Sequence, residues 1–539
     1  MVDCFNELVT QPNSNPTPLR RAETAVFSCL LQLVPQYARG LDGATHRHLP
    51  KSRVETCVQT RVAIWGGQPM RPHDTAIHSI VAALLVGLSV LGSTAAFAQA
   101  TDPGVRHAAA DNGPPPPLAG LTADELAFFQ DGLARFASVK VVLSPTGDNS
   151  GLGPRYNSNQ CSSCHLQPFV GGTSPAVNPL LAVAKGFGAT NTVPWFITPN
   201  GPIREVRFVT SNGVPDGGVH DLFVVTGRSD VDSSCTIAQP DFGPAGSGLT
   251  GQGGSRNIVF RIPTPVLGAG LIEAIPDSAI LANARAETPA KRRAGVGGHP
   301  NAHLGGNINR SGNDGTITRF GWKAQNKSLL LFSGEAYNVE MGISNLLFPQ
   351  ERDETAACQG GNLMPNDTAT FASTVPTGVL SDMEAFADFM RMLGPPTPAP
   401  PTTSSTHGLA LFKSVGCALC HTPVLMTGTA IADGNESAPS AALSNQPARL
   451  FSDLIVHHMG TGLADGITQG AAGPDEFRTA PLWGVGQRIF FLHDGRTGNL
   501  IQAIRFHASE GSEANQVVQN FLELGSQDQQ DLINFLRSL

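Results

Sequence analysis

A mainly α-helical fold in two domains, joined by a proline-rich linker and carrying long irregular, loop-rich segments, is what the sequence predicts. Three observations predict it. Helix-start signals followed by apolar residues at helical spacing occur at Thr122 and Ser381, and another helical pattern closes the chain. The run P-P-T-P-A-P-P-T-T-S-S over 395–405 is a stiff spacer and the clearest domain boundary. The pattern C-x-x-C-H occurs twice, once on each side of that spacer. Of the 539 residues, 41% are hydrophobic and only 14% charged, which excludes wholesale disorder. The 59 glycines and 41 prolines exceed average use without reaching low complexity, so much of the chain is read as loop. A net charge of -8 argues against the basic face that a nucleic-acid binder needs.

The elements follow in order. Met70 and Arg71, an apolar run from Ile80 to Leu91 and the small residues Ala96 to Ala100 make residues 70–98 a secretory signal peptide. Its 12-residue core is too short for the roughly 20 residues of a spanning helix. A signal peptide does not normally sit so deep in a chain, so residues 1–69 are read as a non-native N-terminal extension. That stretch holds Cys4, Cys29 and Cys57, an awkward odd number for an exported protein. The product is expected to be periplasmic, and no later segment is long enough to span a membrane. Residues 99–120 read as a flexible lead-in.

An N-terminal domain, 121–394, begins with the capping box Thr122–Glu125 and a helix bearing Leu126, Phe129, Leu133 and Phe136. From about 140 to 375 short apolar pieces are broken by Gly, Pro, Asn and Asp, a large loop-rich insertion with few helix signals. The box Ser381–Glu384 then starts a helix that stops at Gly394 and Pro395. After the linker 395–405, the C-terminal domain 406–539 opens with a helix from His407 to Val415. It ends with a helix capped by Ser526. No internal repeat is read beyond the cysteine motif.

Cys161-Ser-Ser-Cys164-His165 and Cys417-Ala-Leu-Cys420-His421 carry the chemistry. Two thiols three positions apart can bond the two vinyl groups of one haem, and the next residue sets an imidazole beneath the iron. Zinc would want further Cys or His pairs, and a thioredoxin-type dithiol a βαβ context. Each domain is therefore expected to be cytochrome c-like, holding one covalently bound c-type haem through Cys161 and Cys164 or Cys417 and Cys420. His165 and His421 are the proximal iron ligands. A carbonyl near Pro168 or Pro423 is expected to accept the imidazole N–H. Cys235 and Cys358 are the spare thiols of the exported chain, and a disulfide between them suits an oxidising compartment.

The stretches G-L-G-P-R-Y-N (151–157), G-A-G-L-I-E-A-I-P-D (268–277), R-F-G-W-K-A (319–324), E-M-G-I-S (340–344), S-D-L-I-V-H-H-M-G-T-G-L-A-D-G (452–466), E-F-R-T-A-P-L-W-G-V-G (476–486) and F-L-H-D-G-R (491–496) give a resemblance over about 120–539. The sequence resembles the bacterial di-haem c-type oxidoreductases sometimes labelled thiol oxidoreductases, relatives of di-haem cytochrome c peroxidases. The resemblance implies an oxidoreductase in which a C-terminal haem takes electrons and an N-terminal haem reduces hydrogen peroxide. A small periplasmic donor such as a mono-haem cytochrome would supply the electrons, and calcium is a further candidate ligand. In such peroxidases the residue fourteen positions after the His of H-D-G is the distal ligand, usually Met. Here that position is His507, with Met459 as the alternative and His457 and His458 behind it. For the N-terminal haem no matching distal histidine is found, only His220, His299 and His303 in loops. Glu340, in E-M-G, matches the distal-pocket Glu and is the candidate catalytic acid–base. Ten residues before it, where those peroxidases carry Gln, stands Leu330. Trp322 and Trp483 are candidates for a bridge between the haems. A pure electron-transfer cytochrome and an oxygenase or protein-modifying enzyme are the rival readings.

Overall fold

The computed structural model describes residues 99–107, 113, 115–147, 149–242, 257–293, 317–350, 355–358, 366–371, 375–376, 378–430 and 439–539. The signal peptide, the extension before it, His299 and His303 lie outside the described residues. Twelve α-helices are described, and helix outweighs strand by 33% to 12%, yet several small antiparallel sheets are present as well. In chain order the helices are α1 Ala123–Phe136, α2 Cys161–Cys164, α3 Leu180–Val183, α4 Ala269–Glu273, α5 Asp277–Arg293, α6 Leu329–Met341, α7 Asp382–Met392, α8 Thr403–Val415, α9 Gly460–Leu463, α10 Leu500–Phe506, α11 Asn515–Leu522 and α12 Ser526–Ser538. None of the described helices is long and apolar enough to cross a membrane.

Both predicted capping boxes form. Thr122 and Glu125 close the start of α1, and Ser381 and Glu384 the start of α7, each satisfying two amides that a helix start leaves unpaired. Ser526 is the first residue of α12 rather than its cap; Gly525 takes the cap position with no side-chain bond. α8 begins at Thr403 under a Thr402 cap, inside the segment read as linker. α6 is not legible because its apolar residues and its polar ones, Ser333, Glu335, Asn338 and Glu340, are not segregated onto opposite faces and so set no helical period.

The aromatic faces of α1 and α7 meet: the rings of Phe136 and Phe389 are 5.0 Å apart and those of Phe129 and Phe389 5.5 Å. Each fully buried Phe contributes about 1.5–3 kcal/mol. Asp382 ties α1, α6 and α7 together by accepting from Lys140 (2.5 Å), Tyr337 (2.8 Å) and Arg135 (3.0 Å). The insertion contributes a three-stranded antiparallel sheet in the order Val219–His220, Glu205–Phe208, Ile258–Arg261. The expected disulfide Cys235–Cys358 is present and pins residues 123 positions apart.

One plan is used twice, and the duplication extends well past the cysteine motif. G-L-A-R-F (132–136) in α1 matches G-L-A-L-F (408–412) in α8. D-F-M-R-M-L (388–393) matches N-F-L-R-S-L (534–539), and P-V-L-G-A-G (265–270) matches P-L-W-G-V-G (481–486). The geometry agrees. A Cβ on Gly132 would sit 2.8 Å from Phe389 Cβ, and one on Gly408 2.7 Å from Phe535 Cβ, so each glycine lets its two helices close. Gly268 and Gly484 share φ near 70°. The bridges Phe320–Asn326 and Phe491–Thr497 each stand just before a helix, α6 and α10.

The acid that pins each last helix is also duplicated. Glu273 accepts from the Leu329 amide (2.7 Å) and Arg391 (2.7 Å). Asp102 does the same for Leu500 (2.6 Å) and Arg537 (2.7 Å). Asp102 lies in the segment read as a flexible lead-in, so that segment supplies the second half with a structural carboxylate.

Candidate functional site

Each cysteine motif lines a cavity. The first has about 1280 Å³ of free space, part of it open to solvent, and is lined by Cys161, Cys164, His165, Phe136, Glu340 and Trp322 among others. The second, about 1580 Å³, is lined by Cys417, Cys420, His421, His507, Met459 and Trp322 among others. The four motif cysteines are free thiols. Burial pushes Cys161 and Cys417 up to about 12, so these sulfurs face an apolar space as neutral thiols.

Both proximal imidazoles are fixed through Nδ1. His165 Nδ1 is 3.1 Å from the Gly172 carbonyl and His421 Nδ1 3.0 Å from that of Phe451. The acceptors therefore come from later in each loop, not from beside Pro168 and Pro423. Burial pushes both imidazoles down to about 4, so they are neutral. A neutral ring that donates through Nδ1 presents an Nε2 lone pair to a metal. His507 is prepared in the same way, with Nδ1 2.7 Å from the Ala503 carbonyl and its pKa lowered by burial. It follows the last turn of α10 and shares the cavity of His421.

The alternatives are placed as well. His457 has both ring nitrogens engaged, by Asp453 (3.0 Å) and Glu513 (2.8 Å). His458 is paired with Asp475 and Glu476. Met459 lines the same cavity as His507. His220 stacks on Phe208, bonds Asp216 at 2.7 Å and lines neither haem-sized cavity.

Glu340 stands in the last turn of α6 and lines the first cavity. Asn157 Nδ2 donates to its carboxylate (2.8 Å), and the Asn157 and Ser158 amides donate to its carbonyl (2.7 and 3.2 Å). The loop that leads into Cys161 is thereby stitched to α6. Burial, and then the neighbouring Glu205 carboxylate, raise the Glu340 pKa, while Asn157 and Arg207 act against them. Glu205 and Arg207 were not found from sequence. They belong to an alternating strand whose facing is set by its register on Ile258–Arg261.

The duplication makes the two cavities comparable position by position. Leu329 and Leu500 each follow the paired phenylalanines Phe320 and Phe491 by nine residues. His507 is seven residues beyond Leu500; seven beyond Leu329 is Ala336, which lines the first cavity. A methyl group thus stands where the second cavity has an imidazole, and Glu340 follows it by one helical turn. A small third cavity lies between the two. It shares Gly321, Trp322 and Phe332 with the first and Trp322, Arg478 and Arg488 with the second. Trp322 lines all three, held by its Nε1–H on the Ile262 carbonyl (2.9 Å), whereas Trp483 lines only the middle one.

A family model described as "Di-haem oxidoreductase, putative peroxidase" matches residues 254–539. The matched region contains the second cysteine motif, Trp322, Glu340 and His507 but not Cys161. No curated protein matches the chain. One solved structure similar to it is hydrazine synthase of Kuenenia stuttgartiensis pressurised with 20 bar xenon. The identity is 22%, covering 30% of this chain and 57% of that one, with a TM-score of 0.20. Another is a MauG-like protein associated with microbial copper homeostasis, at 19% identity, 29% and 52% coverage and a TM-score of 0.20. The chain spans little more than half the length of either, and likenesses of that extent carry no argument about its chemistry.

Proposed function

Because the chain belongs to the di-haem oxidoreductase family, and so is an enzyme that uses haem, we propose that it is a periplasmic peroxidase with two covalently bound c-type haems in unlike roles. The observation that carries this reading is the replacement of His507 by Ala336 at the equivalent position of the duplicated plan, with Glu340 one turn on. Cys161, Cys164 and His165 would hold the N-terminal haem, and Cys417, Cys420, His421 and His507 the C-terminal one. Bound haem supplies redox-active iron at both sites. His421 and His507 together saturate the C-terminal iron, which suits electron entry rather than substrate binding. Across the N-terminal site, Ala336 leaves room for hydrogen peroxide. Glu340 would hold and move the proton that peroxide cleavage requires, its carboxylate kept in place by Asn157.

Trp322, which lines both cavities, is the aromatic connection between the sites. Electrons come from a small periplasmic carrier such as a mono-haem cytochrome, and the leader at 70–98 supplies the export that c-type haem attachment needs. The overall change is one peroxide, two electrons and two protons to two waters. Protein reduced by two electrons and mixed with one equivalent of peroxide should be fully reoxidised, leaving no residual peroxide in a colorimetric assay. An electron carrier with both irons saturated would leave the peroxide unconsumed.

A further inference from the structure

The middle cavity holds an unusual pair of charges. Arg478 and Arg488 are only 9% and 8% exposed, and both line the middle and the second cavity. Arg478 donates from Nε to the Gly321 carbonyl (3.0 Å) and Arg488 from an Nη to the Pro481 carbonyl (2.9 Å). Among the described residues, neither pairs with a carboxylate. No Asp or Glu lines the middle cavity, and the one acid lining the second, Glu513, is already bonded to His457 (2.8 Å) and the His458 amide (3.2 Å). Burial lowers both guanidinium pKa values to about 10, and Arg488 lowers that of Arg478 further. Two of the arginines that line the first cavity differ. Arg207 is paired with Glu205 and Arg261 with Asp465.

Two neighbouring buried cations without a counter-charge are a strongly unfavourable arrangement unless an anion completes it. Guanidinium suits planar carboxylates, which it can bind through two parallel N–H donors. The second cavity is shaped and equipped for a haem, and a haem carries two propionate carboxylates, one for each arginine. We infer that Arg478 and Arg488 anchor the propionates of the C-terminal haem, so that the space between the haems is completed by an anion. Calcium, the further candidate there, finds two positive charges and no protein carboxylate in the lining of that cavity. The inference rests on the reading that the second cavity holds that haem.

The test is a redox titration of the full-length holoprotein with Arg478→Gln, Arg488→Gln and the two lysine replacements, after counting covalent haems in each by pyridine haemochrome. Removing a cation beside the propionates should favour ferric iron. Each Gln variant should shift the reduction equilibrium of the C-terminal haem about tenfold toward the oxidised form, about 59 mV for one electron. Lysine, which keeps the charge, should hold it within about threefold of wild type. Two haems with an unchanged potential in both Gln variants would overturn the arginine assignment alone. Fewer than two covalent haems in wild type would instead overturn the reading of the site. If a Gln variant loses its haem, wild type decides. A stoichiometric calcium content, or a potential that follows exchange of chloride for sulfate, would mean a different occupant and defeat the inference. A potential indifferent to both supports it.

Discussion

On the proposed reading, Glu340 is the residue on which the chemistry turns. It works as a base only when ionised, and its pKa is raised to about 8 by burial and by Glu205. The first-order rate of peroxide consumption should therefore rise with pH through that region and fall as pH drops below it. Besides Glu205, the charged groups lining its cavity are Arg204, Arg207, Arg261 and Glu335. Glu205→Gln removes the neighbouring negative charge and should move the same limb to lower pH. Glu340→Gln should abolish the limb and slow peroxide consumption by about 10²–10⁴-fold, with both haems loaded. Equal rates in wild type and variant would remove Glu340 from the reaction. The second decisive residue is the one that differs between the halves. His507→Ala should turn the low-spin C-terminal haem high-spin or open it to imidazole, whereas an unchanged spectrum would point to Met459. The reciprocal change, Ala336→His, should saturate the N-terminal iron and suppress the peroxide reaction. Rapid peroxide turnover in that variant would argue against Ala336 as the position that keeps the site open.

At the scale of elements, the helices that flank each haem are held by matched contacts, and their removal has a calculable sign. A Cβ on Gly408 would collide with the Asp531 carbonyl of α12, so Gly408→Val should force α8 and α12 apart and cost about 1–3 kcal/mol. Asp102 is buried against Arg537, its side chain 2% exposed. Burial alone would raise its pKa, but Arg537 and the Leu500 and Gly104 amides outweigh that and lower it. Its folded value thus lies below its unfolded one. The stabilisation is fully present above the unfolded value and is lost as pH falls through the folded one. Asp102→Ala should cost on the order of 3 kcal/mol at neutral pH and much less near pH 2, read by denaturant titration. An equal loss at both pH values would mean that the pair contributes no charge-dependent stability. The same elements show what the sequence disclosed. Thr122 and Ser381 announced their helices because a capping box is local. α6 announced nothing, since its polar and apolar residues are mixed around the helix, and the repeat around Gly132 and Gly408 is only five residues long, too short to stand out. Cys161, His165, Cys417 and His421 were legible from spacing alone. Ala336, Glu205 and Arg207 were not, because their places depend on a long-range match between halves and on strand register.

At the scale of the whole molecule, a duplicated plan has been made asymmetric. Each half has a glycine-bearing helix, a cysteine motif, a histidine tied to a carbonyl and a last helix pinned by an acid. The halves diverge at Ala336 and His507, and Trp322 occupies the ground between. On the proposed reading, duplication would give two haems the same scaffold, and the exchange of His507 for Ala336 would separate an iron that binds substrate from one that relays electrons. The two cavities share Trp322 with each other and with the small middle space, so on the proposed reading the relay stays within one molecule. The central claim is this inequivalence. The electron paramagnetic resonance spectrum of the oxidised, purified protein tests it most directly. The account predicts two ferric signals of equal weight, one high-spin from the iron beside Ala336 and Glu340 and one low-spin from the iron between His421 and His507. Two low-spin signals, with no high-spin component and none induced by reducing one haem, would contradict it.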